Sequence, residues 1–306
     1  MASVHFFIPV YFDRPSFTIL REKILNVLPK GHTAHFHLLD DSAGEDPALA
    51  SLNLPDVTVL SMPFNLGHQR ALVHGLRLFL RQRHPDSILV TMDGDGEDRP
   101  EDLPVLLEQY RRSEASRPIV LALRTQRKES FVFKLFYFLY RKVFRALTGT
   151  VIRTGNFAVL HPEAVSRIIF HPYFELAYAS TLFSLGTNLQ FVPCPRGVRY
   201  EGRSKMNFSR LAIHGVRMLM PFTDKIAVRG VLAFSAFFLM SAFVCGLLVF
   251  LHVTGLALVS AWALMAAILA FVMSFLSICS FAILITIFAN VQGIAMSRLE
   301  GERGPG

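Results

Sequence analysis

Between Arg229 and Arg298 the chain carries no Asp, Glu, Lys or Arg, and its one strongly polar break is His252-Val-Thr-Gly255. A helix that crosses a bilayer needs about 20 apolar residues, so the run fits two spans, about 230–252 and about 259–290, joined by a tight turn. Residues 223–298 are therefore expected to form a transmembrane hairpin, and the mean hydropathy of +0.41 for the whole chain follows from it. Lys225 and Arg229 precede the hairpin, Arg298 and Arg303 follow it, and the connecting turn holds neither Lys nor Arg. By the positive-inside rule both ends face the cytoplasm, as expected of a multi-pass protein of the cell (inner) membrane. Residues 1–222 are expected as a cytosolic domain and residues 299–306 as a disordered polar tail.

The chain starts Met1-Ala-Ser-Val-His-Phe-Phe-Ile, without the basic region of a signal peptide, and runs at once into a strand pattern. A net charge of +8 on its own suits nucleic acid. Beside a membrane anchor it fits anionic headgroups and a phosphorylated substrate more simply, and no nucleic-acid partner is expected. Cys194, Cys245 and Cys279 lack metal-ligand spacing and are read as reduced and structural.

The first half alternates strand and helix signals. Strands are expected at His5–Val10, His35–Leu39, Val57–Leu60, Ser87–Met92 and Ile119–Leu123, with helices from Ile19 to Leu28 and from His68 to Arg83. That alternation implies an α/β fold with a mostly parallel, Rossmann-like sheet. The first four strands each end in polar or turn residues, so four loops share one face of the sheet. No Gly-x-Gly follows the first strand, which argues against a dinucleotide site. Two further helices are amphipathic. In about 130–148, Lys134, Arg141 and Arg145 share a face, and in about 207–222, Arg210, His214 and Arg217 do. Each reads as a helix lying on the membrane surface; the other reading of the first is a core helix with snorkelling basic residues.

Directly after the fourth strand, Asp93-Gly-Asp-Gly-Glu-Asp98 packs four carboxylates into six residues. Like charges so close repel unless a hard divalent cation neutralises them, and ligands of open α/β sheets gather at the carboxyl ends of strands. The other reading is an acidic turn that caps the helix starting near Pro100, and Asp98 suits that role in either case. Asp40-Asp41-Ser42 after the second strand could accept hydrogen bonds from a nucleotide base and ribose, or could be an ordinary turn. Asn65-Leu-Gly67 leads into a helix whose Ala71 and Gly75 allow close packing. Its basic start reads either as a phosphate site or as a plain cap.

Taken in order, Ile8-Pro-Val-Tyr11, Asp40-Asp-Ser42, Asn65-x-Gly67 with Gln69, Ala71 and Gly75, Asp93-x-Asp95 with Pro100-Glu101, Arg124, and Arg199-x-x-Gly-x-Ser-Lys205 resemble the family 2 glycosyltransferases of GT-A fold. Within that family the chain is most similar to the polyprenyl-phosphate glycosyltransferases, the dolichol-phosphate mannosyltransferase-like group with two C-terminal membrane helices. The resemblance spans about residues 5–295. It implies inverting transfer of one sugar from a UDP- or GDP-linked nucleotide sugar to a polyprenyl phosphate, with Mg²⁺ or Mn²⁺ as cofactor and a lipid bilayer as partner.

By the same resemblance Asp93, Asp95 and Glu97 would hold the metal, Glu97 standing where a Gln is usual. Pro9, Tyr11, Asp41, Asn65 and Asp93 would bind the nucleotide. Arg124, Arg199, Ser204 and Lys205 would bind the acceptor phosphate, and the catalytic set would be Asp93, Asp95, Arg124, Asn156, Arg199 and Lys205. At Asn156 many relatives carry an acid. A lipid phosphate is already anionic, so no general base is required of that position. A processive polysaccharide synthase is disfavoured because the sole tryptophan, Trp262, lies in the apolar region. An inactive scaffold retaining the fold is disfavoured by the intact acid loop and basic residues. Two membrane helices leave room for a homo-oligomer.

Overall fold

The leading strands are covered by helices on both faces; one face carries Val4, Phe6, Ile8, Phe36 and Leu38, and the other mixes Phe7 and Leu39 with His5, His35 and His37. A computed structural model describes residues 2–81, 87–125, 131–186, 188–201, 208–256 and 258–302, with side chains described except at 131–136, 208–210 and 288–302. The chain divides into two units, Met1–Lys142 with Thr150–Pro221, and Val143–Gly149 with Phe222–Gly306.

The first unit is built on a seven-stranded sheet of β1 (Ala2–Val10), β2 (His32–Asp40), β3 (Val57–Ser61), β4 (Ser87–Thr91), β5 (Ile119–Arg124), β6 (Thr154–Leu160) and β7 (Leu189–Cys194), in spatial order β3-β2-β1-β4-β6-β5-β7. β6 runs antiparallel to β4 and β5, and the other pairings are parallel. The sheet grows outward from β1 through β2 to β3 and then restarts on the other side of β1 with β4. That reversal opens a crevice at the carboxyl ends of β1 and β4. The antiparallel β6 was not anticipated. It places Thr154, Gly155 and Asn156 beside the carboxyl ends of β4 and β5, because Leu123 of β5 pairs with Thr154.

The helices are α1 (Arg14–Val27), α2 (Pro47–Ala50), α3 (His68–Leu80), α4 (Leu103–Arg112), α5 (Phe131–Thr148), α6 (Pro162–Ile168), α7 (Tyr178–Ser184) and α8 (Phe208–Leu219). α1 starts well before Ile19, because the Asp13 carboxylate accepts from the Ser16 N–H and Pro15 suits the first turn. Phe17, Leu20 and Ile24 of α1 and Leu103, Leu106 and Leu107 of α4 bury against Val4, Phe6, Ile8 and Val90 on one face of the sheet. α3 covers β1 and β2 on the opposite face, where Phe79 meets the Phe7 ring edge-on. Close packing at Gly75 is borne out: a Cβ there would lie 2.3 Å from Leu39 Cδ2.

The second unit contains α9 (Thr223–Thr254) and α10 (Ala261–Glu302). α9 ends at Gly255, which has a left-handed φ of 67°. Among the described residues, two helices are long and apolar enough to cross a membrane. Gly230 admits the Phe281 ring, since a Cβ there would come within 2.1 Å of it. Buried Ser241 and Ser274 lie with their hydroxyls 2.9 Å apart, and each also donates to a backbone carbonyl of its own helix. Both helices run longer than the expected spans. α10 continues through Glu302, where a disordered tail was expected from Leu299, because Arg298, Leu299 and Glu300 are competent helix formers. Residues 303–306 lie outside the described residues.

Candidate active site

The acid loop follows β4 at the crevice. Gly94 sits against β1, where a Cβ would lie 3.2 Å from Ile8 Cγ2, and Gly96 has a φ of 88° that L side chains rarely adopt. Three neighbouring elements supply its partners. From β6, Asn156 Nδ2 donates to Asp93 Oδ1 at 3.0 Å. Asn156 is itself held through its carbonyl, which accepts from Thr91 Oγ1 at 2.5 Å; with that hydroxyl hydrogen committed, Tyr178 OH is left to donate to Thr91 Oγ1 at 3.1 Å. From the end of β5, Arg124 Nη2 donates to Asp98 Oδ1 at 3.1 Å and lies 3.8 Å from Asp93 Oδ2. It crosses Gly155 so closely that a Cβ there would stand 2.6 Å from Nη2.

The third element is an irregular strap, residues 195–200, that follows β7. Gly197 N–H donates to the Glu97 carbonyl and Tyr200 N–H to the Asp95 carbonyl, each at 2.9 Å. The Tyr200 ring covers Gly96, whose added Cβ would meet it at 2.8 Å, and the Lys23 ammonium lies 4.6 Å from the ring centre. The strap carries two arginines onto the loop. Arg199 Nη2 donates to Asp95 Oδ2 at 2.8 Å and Arg199 Nε to Glu97 Oε1 at 3.0 Å, while Arg196 Nη2 donates to Glu97 Oε2 at 2.6 Å.

These contacts sort the four acids. Asp98 is only 4% exposed, and burial, reinforced by the charge of Asp93, raises its pKa against the pull of Arg124. It does not cap a helix, contrary to expectation. Its Oδ2 accepts from the Asp93 N–H at 2.9 Å and its Oδ1 takes Arg124, so it shapes the loop from within. Asp95 is also raised, by burial and then by Asp93, with the Glu97 N–H and Arg199 opposing. Burial would raise Glu97 as well, but the hydrogen bonds and charges of Arg196 and Arg199 outweigh it and leave the carboxyl lowered.

Among the described residues no group of three or more His, Cys, Asp or Glu side chains converges as a ready-made metal cage. Mg²⁺ needs none, since it is commonly held by one or two carboxylates together with substrate phosphates. Asp93 and Asp95 fit that mode. They are hard oxygen donors, with Asp95 raised by burial and then by the charge of Asp93, in a cluster where four carboxylates face the three guanidiniums of Arg124, Arg196 and Arg199.

The other expected residues fall as follows. Pro9 and Tyr11 lie at the end of β1, Tyr11 45% exposed and edge-on to Phe12. Asp41 is buried, and its two oxygens accept from the Leu66 and Gly67 N–H groups at 2.7 and 2.9 Å. It thereby organises the entry to α3. Burial raises its pKa, and those two bonds oppose the shift. Asp40 is occupied within its own turn by Ser42 and Gly44. Asn65 is exposed on the same loop-bearing edge. Ser204 and Lys205 lie outside the described residues. Arg196 and Tyr200 were missed, although Arg196 stands one helical turn's spacing before Arg199 in the same basic stretch.

A mostly parallel sheet with an acidic loop after the strand at its reversal point is the architecture of GT-A glycosyltransferases. Residues 6–169 match the family model of glycosyl transferase family 2. The chain belongs to that family and is a glycosyltransferase. Its fold is similar to crystal structures of glucosyl-3-phosphoglycerate synthase from Mycobacterium tuberculosis. The complex of that enzyme with Mn²⁺, uridine diphosphate and glucosyl-3-phosphoglycerate is 16% identical, with a TM-score of 0.52 over 74% of this chain and 80% of that one. The complex with Mn²⁺, uridine diphosphate and phosphoglyceric acid is 15% identical, with a TM-score of 0.52 over 74% and 78%. A complex with Mg²⁺ and uridine diphosphate is 14% identical, with a TM-score of 0.51 over 74% and 79%. Comparison with curated protein sequences finds no match.

Proposed function

We propose that the chain transfers a single sugar, with inversion, from a UDP- or GDP-linked donor to a polyprenyl phosphate at the cytoplasmic face of a membrane. The observation that carries this reading is the acid loop at the sheet's reversal point, faced by Arg124, Arg196 and Arg199, in a chain that also has two helices fit to cross a bilayer. A divalent cation held by Asp93, Asp95 and the donor diphosphate would neutralise charge on the departing nucleoside diphosphate. Arg196 and Arg199 bind the diphosphate through their planar forks, and Arg124, at the Asp93 end of the loop, receives the acceptor phosphate. That phosphate is anionic near neutral pH, so its oxygen attacks the anomeric carbon without a side-chain base. Asn156 is suited to this scheme, because it donates to Asp93 and takes no proton.

The membrane assignment is supported by exposed Phe138 and Leu139 on α5 and by Ile213 and Val216 on α8, apolar side chains that a membrane surface would cover. Lys225, Arg229 and Arg298 support placing both ends of the hairpin in the cytoplasm. The test is to incubate membranes containing the protein with a panel of labelled nucleotide sugars and undecaprenyl or dolichyl phosphate. The expected product is a lipid-linked monosaccharide whose anomeric configuration is opposite to that of the donor. Label that enters only a polymer or a water-soluble acceptor would overturn the lipid-phosphate assignment.

A further inference from the structure

Of the three acids expected at the metal, Glu97 is less available than Asp93 or Asp95, whose side chains are 28% and 21% exposed. Its Oε2 accepts from Arg196 Nη2 at 2.6 Å and Nε at 3.2 Å, its Oε1 accepts from Arg199 Nε at 3.0 Å, and its side chain is 13% exposed. Its backbone is pinned as well. The carbonyl takes the Gly197 N–H at 2.9 Å and the N–H goes to Asp95 Oδ1 at 3.0 Å. A cation drawing on Glu97 would have to strip guanidinium donors from a carboxylate that they neutralise. Both guanidiniums come from the strap, which is seated so tightly that a Cβ on Gly197 would lie 2.2 Å from the Gly96 carbonyl oxygen.

We infer that Glu97 is a positioning residue: it takes no part in metal binding and aims Arg196 and Arg199 as the pair that binds the donor diphosphate. The inference rests on the nucleotide-sugar reading and deepens it. Asp93 and Asp95 are left as the side chains that face the cation. Arg199 bridges the two halves of the site, with Nη2 on Asp95 and Nε on Glu97. Arg196 depends on the carboxylate more directly, because two of its nitrogens meet one oxygen of Glu97.

The test uses the full chain in detergent micelles. It measures UDP and GDP affinity by calorimetry, and Mn²⁺ half-saturation at saturating nucleotide by electron paramagnetic resonance, for wild type, Glu97→Gln, Arg196→Met and Asp95→Asn. Glu97→Gln should keep Mn²⁺ half-saturation within about twofold of wild type while nucleotide affinity falls about tenfold, the scale of a charge-assisted hydrogen bond. Arg196→Met should give a similar fall, and the double variant should fall by less than the two single losses combined, because both remove the Glu97–Arg196 contact. Asp95→Asn should instead raise the Mn²⁺ requirement. A loss of Mn²⁺ affinity in Glu97→Gln equal to that in Asp95→Asn would overturn the inference, and so would unchanged nucleotide affinity in Arg196→Met. Wild-type protein that binds neither UDP nor GDP would instead overturn the donor reading and take the inference with it.

Discussion

Asn156 Nδ2 and Asp93 Oδ1 lie 3.0 Å apart, joining the start of the antiparallel β6 to the acid loop after β4. An acid at position 156 would set two carboxylates at hydrogen-bond distance and raise the pKa of one of them. Asn156→Asp is therefore expected to lower unfolding free energy by about 1–3 kcal/mol at neutral pH. A pKa raised by folding favours the folded state as protons are added, so the deficit should shrink as pH falls into the carboxylate range. Thermal unfolding at neutral and mildly acidic pH checks this, and a variant as stable as wild type at neutral pH would count against it.

Asp95→Ala should reduce sugar transfer by at least about 100-fold, the scale of removing one preorganised electrostatic contact, without unfolding the protein. Its pKa is raised by burial and by Asp93, so the ionised carboxylate costs stability at neutral pH, a cost that disappears on protonation. Removing it relieves that cost and releases only Nη2 of Arg199, whose Nε stays on Glu97. Transfer assays and circular dichroism run side by side separate the two effects, and full activity in the presence of Mg²⁺ would reject the metal assignment.

Much of this site was legible in local patterns. Val4, Phe6, Ile8 and Val10 alternate with His5, Phe7 and Pro9, which marks β1 as a strand with one apolar face, and Asp93 and Asp95 announce themselves by crowding. β6 was hidden because Thr154-Gly-Asn opens it with polar and small residues, and only pairing between β4 and β5 makes it a strand. Asp98, just before Pro100, reads locally as a cap. Its burial depends on Arg124 arriving from β5, a contact that no local window contains. The same holds for Glu97 and Arg196, 99 positions apart and joined only because the strap after β7 returns across the loop.

His171 ties stability to pH at a distance from the acids. Burial lowers its pKa, and its Nδ1 accepts from the Tyr173 N–H at 3.3 Å, which requires a neutral ring. The unfolded chain takes up a proton near the ordinary value of 6.5 while the folded one does so only at lower pH. Stability is therefore lost as pH falls through that value and levels off below the folded pKa. His171→Asn keeps an acceptor but cannot titrate, so the loss between about pH 7.5 and about pH 5.5 should be smaller than in wild type. Chemical unfolding at the two pH values decides it, and identical slopes would reject the assignment.

Gly197→Ala tests whether the strap holds the arginines in place. Its Cβ would meet the Gly96 carbonyl oxygen at 2.2 Å and Arg99 Cγ at 2.9 Å. The carbonyl cannot retreat cheaply, because Gly96 already sits at positive φ under the Tyr200 ring. The strap must lift, breaking the bonds from Gly197 and Tyr200 to the loop and withdrawing Arg196 and Arg199 from Glu97 and Asp95. The expected strain is about 1–3 kcal/mol, typical of overpacking, concentrated in this segment. Trypsin should then cut after Arg196 or Arg199 faster than in wild type, and sugar transfer should fall in step. Wild-type cleavage together with wild-type activity would show that the strap's contacts with the acid loop do not position the arginines.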